Sequence, residues 1–381
     1  MPRKPKPPLT EPDVVRGQKY LRSFQELLKP LADLPAHGNR KFHYDDWVCL
    51  LLLHFYNPLL NSLRSLAEAT DFQSIQDFVG VQHTSLGSMS ESAAQVFDPA
   101  YLEPLIQELG SQVARVCQDK RLEDLPGVPT AVDGSFLRCL PKMVWAVFRK
   151  KSDNRGVRLH LHYDIVRGIP SVAEVTSALG SEKKSLRKLI KEGRLYLTDR
   201  GYIDYRMYQA IHDAGSFFVS RLKDNSTFEV VEERPLTAAD RKAGVLSDAW
   251  VRMGSAFTQG HLTAPVRRIV IAGGAGRKDV VLLTNTDLPA ELIGLLYRYR
   301  WQVELFFRWF KCILGCRNWL SLTPRGLTLQ VYVALLASIL MALWTGRKPS
   351  RSAFRVIGLY FQGWVGENEL TAYLDKLKKT T

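Results

Sequence analysis

The chain has 381 residues, 46% hydrophobic and 24% charged, which excludes a disordered polymer and leaves room for one large core with a smaller domain or two. Lysine and arginine number 52 against 38 aspartate and glutamate, a formal charge of +14 that points to a polyanion, and to nucleic acid ahead of membrane because no basic amphipathic anchor stands out. Five cysteines, Cys49, Cys117, Cys139, Cys312 and Cys316, are scattered and odd in number, so neither a disulfide framework nor a zinc site is expected. With no apolar leader after Met1, a cytoplasmic protein is expected.

Residues 1–13 read as a proline-rich basic arm. Helical periodicity dominates from about Gly17 to Gln118, most clearly at Asp45–Phe55, Leu63–Ala69 and Tyr101–Cys117, so an all-helical domain is expected over 14–122. Within it, Ser62 to Thr70 and the hydroxyl-rich stretch Thr84 to Ser92 supply residues suited to caps and phosphate contacts, and a helix-turn-helix reader fits there. A loop at Leu125-Pro-Gly-Val-Pro129 opens the next domain, placed at 123–345. Strands are predicted at Thr130–Leu137, at Val157–Ile165, whose alternation implies one buried face, and from Ser171 to Thr176. Helix Glu182–Glu192, strand Arg194–Thr198, helix Tyr205–Ala214 and strand Ser216–Arg221 follow. That order requires a mixed sheet flanked by helices.

Residues 222–287 interrupt the rhythm with short β-prone runs, notably Arg267–Ile271 and Asp279–Leu283, and read as an inserted β-rich lobe. A helical segment from Ala290 to Leu314 leads back to the sheet. The apolar run Leu327–Trp344, at about 18 residues, is at the lower edge of spanning length and reads as a helix buried against the sheet, with no membrane partner implied. A polar tail is expected over 346–381.

Chemistry concentrates at three acids. Asp133 in Val132-Asp-Gly-Ser135 and Asp199 in Thr198-Asp-Arg-Gly-Tyr202 both stand at predicted strand ends, where either could also be an ordinary turn residue. Glu304 lies on the late helix with Tyr297, Arg300, Arg308 and Lys311, and at about 100° per residue all five share one face. Leu296, Val303, Phe307, Phe310 and Leu314 form the neighbouring apolar stripe. One interpretation of Glu304 is salt bridging to Arg300 and Arg308. The other is a three-carboxylate cluster whose repulsion a hard divalent cation relieves, two such ions clamping an in-line phosphoryl transfer. His160 and His162, on the polar face of their strand, read as solvated or sheet-pairing histidines.

The Tyr-x2-Arg-x3-Glu-x6-Lys spacing, met by Tyr297, Arg300, Glu304 and Lys311 and joined to the two aspartate motifs in order, resembles the signature of bacterial insertion-sequence transposases of family four, in the DDE class. The resemblance covers residues 125–345 well and the N-terminal part loosely. It implies an RNase H-like catalytic domain with a β-rich insertion before the glutamate, preceded by a helical domain that binds the transposon end. It also implies Asp133, Asp199 and Glu304 as metal-binding catalytic triad, and Tyr297, Arg300, Arg308 and Lys311 on the DNA. Two Mg2+ ions, for which Mn2+ can substitute, are the expected cofactors. Inverted terminal repeats and target duplex DNA are the expected partners, with a homodimer on DNA and cut-and-paste transposition as the activity. Related enzymes stack a flipped base on a tryptophan of the insertion, and Trp250 is the only tryptophan there. Where members often carry a lysine shortly before the His-x-x-x-Asp of the second strand, this chain has Arg158 before His160 and Asp164. A stand-alone nuclease of the same fold, and a non-enzymatic DNA-binding descendant, are the rival readings.

Overall fold

The computed structural model describes residues 27–379 except 36–37, 58, 148–154, 256–257, 275 and 316–317, so the arm at 1–13 lies outside the described residues. The chain divides into two compact units, Gly110–Lys311 and the remainder, Met1–Leu109 with Cys312–Thr381.

The first unit is built on one nine-stranded sheet. Its strands are β1 (Val128–Arg138), β2 (Gly156–Asp164), β3 (Ile169–Ser177), β4 (Arg194–Thr198), β5 (Phe217–Arg221), β6 (Phe228–Glu233), β7 (Val245–Met253), β8 (Val266–Ile271) and β9 (Val280–Thr284), in the spatial order 3-2-1-4-5-9-8-7-6. β1, β2 and β3 form an antiparallel meander, whereas β1, β4 and β5 run parallel, as the helical crossovers between them require. The two crossover helices are Glu182–Lys188 and Tyr205–Asp213, here α7 and α8 once α1–α6 of the other unit are counted. They cover one face, where Val132, Tyr196 and Phe218 meet Leu186, Met207 and Tyr208. Tyr208 stacks on Phe218 at 4.4 Å and its hydroxyl reaches Ser220 at 2.6 Å. On the opposite face Tyr163 packs on Phe306 at 5.2 Å.

The inserted strands β6–β9 are not a detached lobe. β9 pairs antiparallel with β5, Val219 opposite Thr284 and Arg221 opposite Leu282, so the insertion extends the same sheet. β6 is exposed along its length and β7 carries a bulge, which is why these strands lack a clean alternation in sequence. β2 departs from its expected single buried face. His160 and His162 are each 2% exposed, because β2 is an interior strand with helices over both faces. Burial lowers both imidazoles, His160 to about 4 and His162 to about 3; His160 bonds Thr176 Oγ1 at 2.8 Å and His162 meets the Tyr196 ring edge-on.

The second unit is helical among its described residues. α1 (Lys29–Ala32), α2 (Tyr44–Tyr56), α3 (Leu63–Ala69), α4 (Gln73–Val79), α5 (Leu86–Glu91) and α6 (Leu102–Gln112, which runs into the first unit) precede the sheet in sequence. Ser62 and Ser85 cap α3 and α5, while Thr84 is buried against Thr70, so these hydroxyls are spent on the fold itself. Beyond α9 (Ala238–Lys242), α10 (Ala290–Tyr299) and α11 (Trp301–Leu314), the apolar segment forms α12 (Pro324–Thr345). α12 is buried on all sides, with α2 and the turns after α5 as its main neighbours within its own unit, so it packs as a core helix among helices where a helix against the sheet was expected. The polar tail is helical too: α13 (Arg351–Phe361) and α14 (Glu367–Lys379) follow, and Tyr56 of α2 packs between Phe354 and Phe361.

Candidate active site

Asp133 lies in the middle of β1, not at its end. Its strand has two different neighbours, however: β2 pairs along the whole length, whereas the parallel ladder to β4 stops at Ala131 opposite Leu197. Two residues further on stand Asp133, still within β1 and on the same face as Ala131, and Asp199, one residue beyond the end of β4. That is the face on which Tyr163, opposite Ala131, meets α11. Asp199 also caps the turn Arg200–Tyr202, its Oδ1 accepting from Gly201 N at 2.8 Å, and Asp133 Oδ1 accepts from Gly134 N at 2.8 Å.

The late helix is broken where a single rod was expected. α10 ends at Tyr299 and α11 starts at Trp301, and at the junction Arg300 N bonds Tyr297 O while Val303 N bonds Arg300 O, a tighter three-residue pattern. The core stripe holds: Leu296, Val303, Phe307 and Phe310 are buried. Arg300 lies over the Tyr297 ring at 5.7 Å and bonds Glu304 Oε1 at 2.7 Å, so the salt-bridge interpretation of Glu304 is realised. The same guanidinium acts on Asp133. Arg300 thus links the glutamate on α11 to the aspartate on β1.

Burial pushes the Asp133 carboxyl up to about 6, reinforced by the charges of Asp199 and Glu182 and opposed by Gly134 N–H and Arg300. Burial and the neighbouring carboxylates therefore outweigh the Arg300 guanidinium. Hard carboxylate oxygens in that condition suit a divalent cation such as Mg2+ or Mn2+. Among the described residues no three His, Cys, Asp or Glu side chains converge closely enough to hold an ion. Asp133 and Asp199 are the pair best placed to start such a site.

Lys311 and Arg308 are exposed on α11. Tyr297 lines a cavity of about 520 Å³ with Arg221, Arg277, Lys278, Arg298 and Glu291. Trp250 is placed differently: on β7, its ring has Arg234 at 5.6 Å and Arg267 at 5.9 Å, and those guanidinium groups are its described ring partners. Two site neighbours were not singled out in the sequence. Glu182 opens α7 and pairs with Arg158, and Tyr202 is 1% exposed with a hydroxyl that has no hydrogen-bond partner. Tyr202 belongs to the quoted Asp-Arg-Gly-Tyr motif, which is the one signal that could have found it.

Residues 125–340 match the transposase DDE domain family. This chain belongs to that family. Among curated relatives it is 33% identical over 191 residues to the putative transposase y4zB of Sinorhizobium fredii, 50% of this chain and 53% of the relative. It is 26% identical over 202 residues to the probable transposase for insertion sequence element IS5377 of Geobacillus stearothermophilus, 52% of each. The chain spans about half the length of the curated relatives it matches. A solved piggyBac transposase synaptic complex with hairpin DNA aligns with 96% of this chain and 82% of its own, at a TM-score of 0.42 and 13% identity.

Proposed function

We propose that this protein is the transposase of a bacterial insertion sequence of family four, cutting the element out at its inverted terminal repeats and joining it to target DNA. The observation that supports the reading is the parallel pairing of β1 with β4, which ends at Ala131 opposite Leu197, two residues short of Asp133 and of Asp199, close enough for the charge of Asp199 to act on Asp133. The sheet order 3-2-1-4-5, with three antiparallel and then two parallel strands, supports an RNase H-like catalytic core. Asp133, Asp199 and Glu304 are the residues for two divalent metal ions, which when bound supply the charge that stabilises the attacking and leaving oxygens of an in-line displacement. Glu304 must leave Arg300 to join them, and a DNA phosphate is the competing partner that would draw Arg300 away.

Arg300, with Tyr297, Arg308 and Lys311, holds the phosphates near the cut, so that water attacks the phosphodiester and the freed 3′-hydroxyl later attacks the second strand or target. Trp250 serves the flipped base only if its ring leaves its two arginines. The helices before β1 bind the transposon end, the net charge of +14 adds long-range attraction, and two ends held together call for a homodimer on DNA in the cytoplasm. The test is cleavage of labelled DNA carrying the repeats that flank the reading frame, with Mg2+. Asp133→Ala, Asp199→Ala and Glu304→Ala should each abolish cleavage while retaining DNA binding; full activity in all three would refute the assignment.

A further inference from the structure

We propose that the cavity between α10 and the inserted strands is a binding site for a free nucleoside di- or triphosphate. The proposal stands apart from the metal-dependent reading above, and every residue it uses lies in the sheet unit.

Strand register builds the floor of the cavity. Residues directly opposed in a ladder project to one face, as do residues two apart in a strand. Val245 of β7 is opposite Ile271 of β8, Ile271 is opposite Val280 of β9, and Leu282, two residues on, is opposite Arg221 of β5. One face thus carries a strip of four aliphatic side chains that ends in a guanidinium group, and all five line the cavity. α10 lies over this strip. Gly294 has no positive φ, and a Cβ there would stand 2.6 Å from Ile271 Cδ1, so glycine is what lets the helix come this close. Beside that contact, helix and strands enclose about 520 Å³ with Tyr297 in the wall.

The charge around this space is one-sided. Arg221, Arg277, Lys278 and Arg298 line it against a single acid, Glu291. Lys278 has Asp224 at 3.7 Å, whereas Arg221, Arg277 and Arg298 have no carboxylate at ion-pair distance among the described residues. Elsewhere in the unit Arg158, Arg187, Arg234 and Arg267 each hold one. Burial, then Asp240, pushes the Glu291 carboxyl up and favours its neutral form. Three unpaired guanidinium groups beside an apolar floor fit a ligand that is anionic at one end and flat and apolar at the other. Guanidinium forks match phosphate oxygens, and the aliphatic strip with Tyr297 offers a surface to a base. The volume suits one small molecule and excludes a double helix. The charge of a di- or triphosphate answers three guanidinium groups better than that of a monophosphate.

The test is fluorescence anisotropy of a fluorescent ATP analogue with the full chain in EDTA, so that no acid-bound metal contributes. Binding should saturate and ATP should displace the analogue. Inorganic triphosphate, which has the charge but no ring, should displace it much more weakly; equal displacement by the two would show a plain anion site and overturn the proposal. Arg277→Glu, in the connection between β8 and β9, should weaken binding by about tenfold or more with an unchanged melting temperature. Arg252→Glu makes the same charge change on β7 outside the cavity and should leave binding intact. If the two variants weaken binding alike, the protein responds only to net charge and the proposal is wrong. A single-stranded oligonucleotide that displaces the analogue where ATP does not would assign the cavity to a nucleic-acid strand, which also refutes it.

Discussion

Two clusters of buried charge in the sheet unit obey opposite rules. In the insertion, Arg267 is 1% exposed and every direction of its guanidinium is used: Nε and Nη2 meet Asp248, and Nη1 donates to Thr286 O at 3.1 Å and Leu288 O at 2.7 Å. At the head of β1 and β4 the balance is broken. Asp133 is held up to about 6, the Tyr202 hydroxyl and the Nε of Arg158 and of Arg300 lack partners, and carboxylates outnumber cations. Charge that is fully answered within the chain is structural, whereas charge left unanswered implies something the chain does not itself supply.

That contrast can be broken from either side. The largest effect should come from Asp248→Ala, which strands the buried Arg267 and is expected to cost about 3–5 kcal/mol in a denaturant titration, with Mn2+ affinity unchanged. At Asp133 the sign reverses. Because its folded carboxyl titrates near 6, above the unfolded value, the cation-free protein binds the extra proton between about pH 4 and 6 and loses stability as pH rises through that window. Asp133→Asn should flatten this slope in thermal melts, and Mg2+ should bind the wild type more weakly below about pH 6, where the proton competes. The smallest effects belong to the rim. Arg300→Ala and Lys311→Ala should each weaken binding to transposon-end DNA and reduce the salt slope of log K by about 1, measured by fluorescence anisotropy between 50 and 200 mM salt.

Much of the sheet was legible because its elements are local. Arg194–Thr198 and, in the other unit, Leu63–Ala69 occur where the residue pattern puts them, and the strand carrying Asp133 differs only at its ends. Three things were not legible, each for a non-local reason. The polarity of His160 and His162 pointed to an open face, but helices from elsewhere in the chain cover it. The fully apolar α12 shows no preferred side, so nothing in its periodicity names a sheet or a helix as neighbour. Glu182 looks like any acid in a first helical turn, and its place comes from its packing against Gly134. Asp133 and Asp199 stand in short motifs, yet their nearness comes from the pairing of two strands more than 50 residues apart in sequence.

The pairing of β9 with β5 has a consequence for how such a chain can diversify. Arg221 and Leu282 face each other across one ladder, so the whole excursion through β6, β7 and β8 is in topological terms the loop of a single hairpin. Lengthening a loop costs conformational entropy only logarithmically. The excursion can therefore grow, shrink or be exchanged for other sequence while β9 still delivers α10, and with it Arg300 and Glu304, to the same place above the strands. The strands at one end of the sheet are insulated from change at the other, so sequence can vary in the excursion without moving the residues at the ends of β1 and β4.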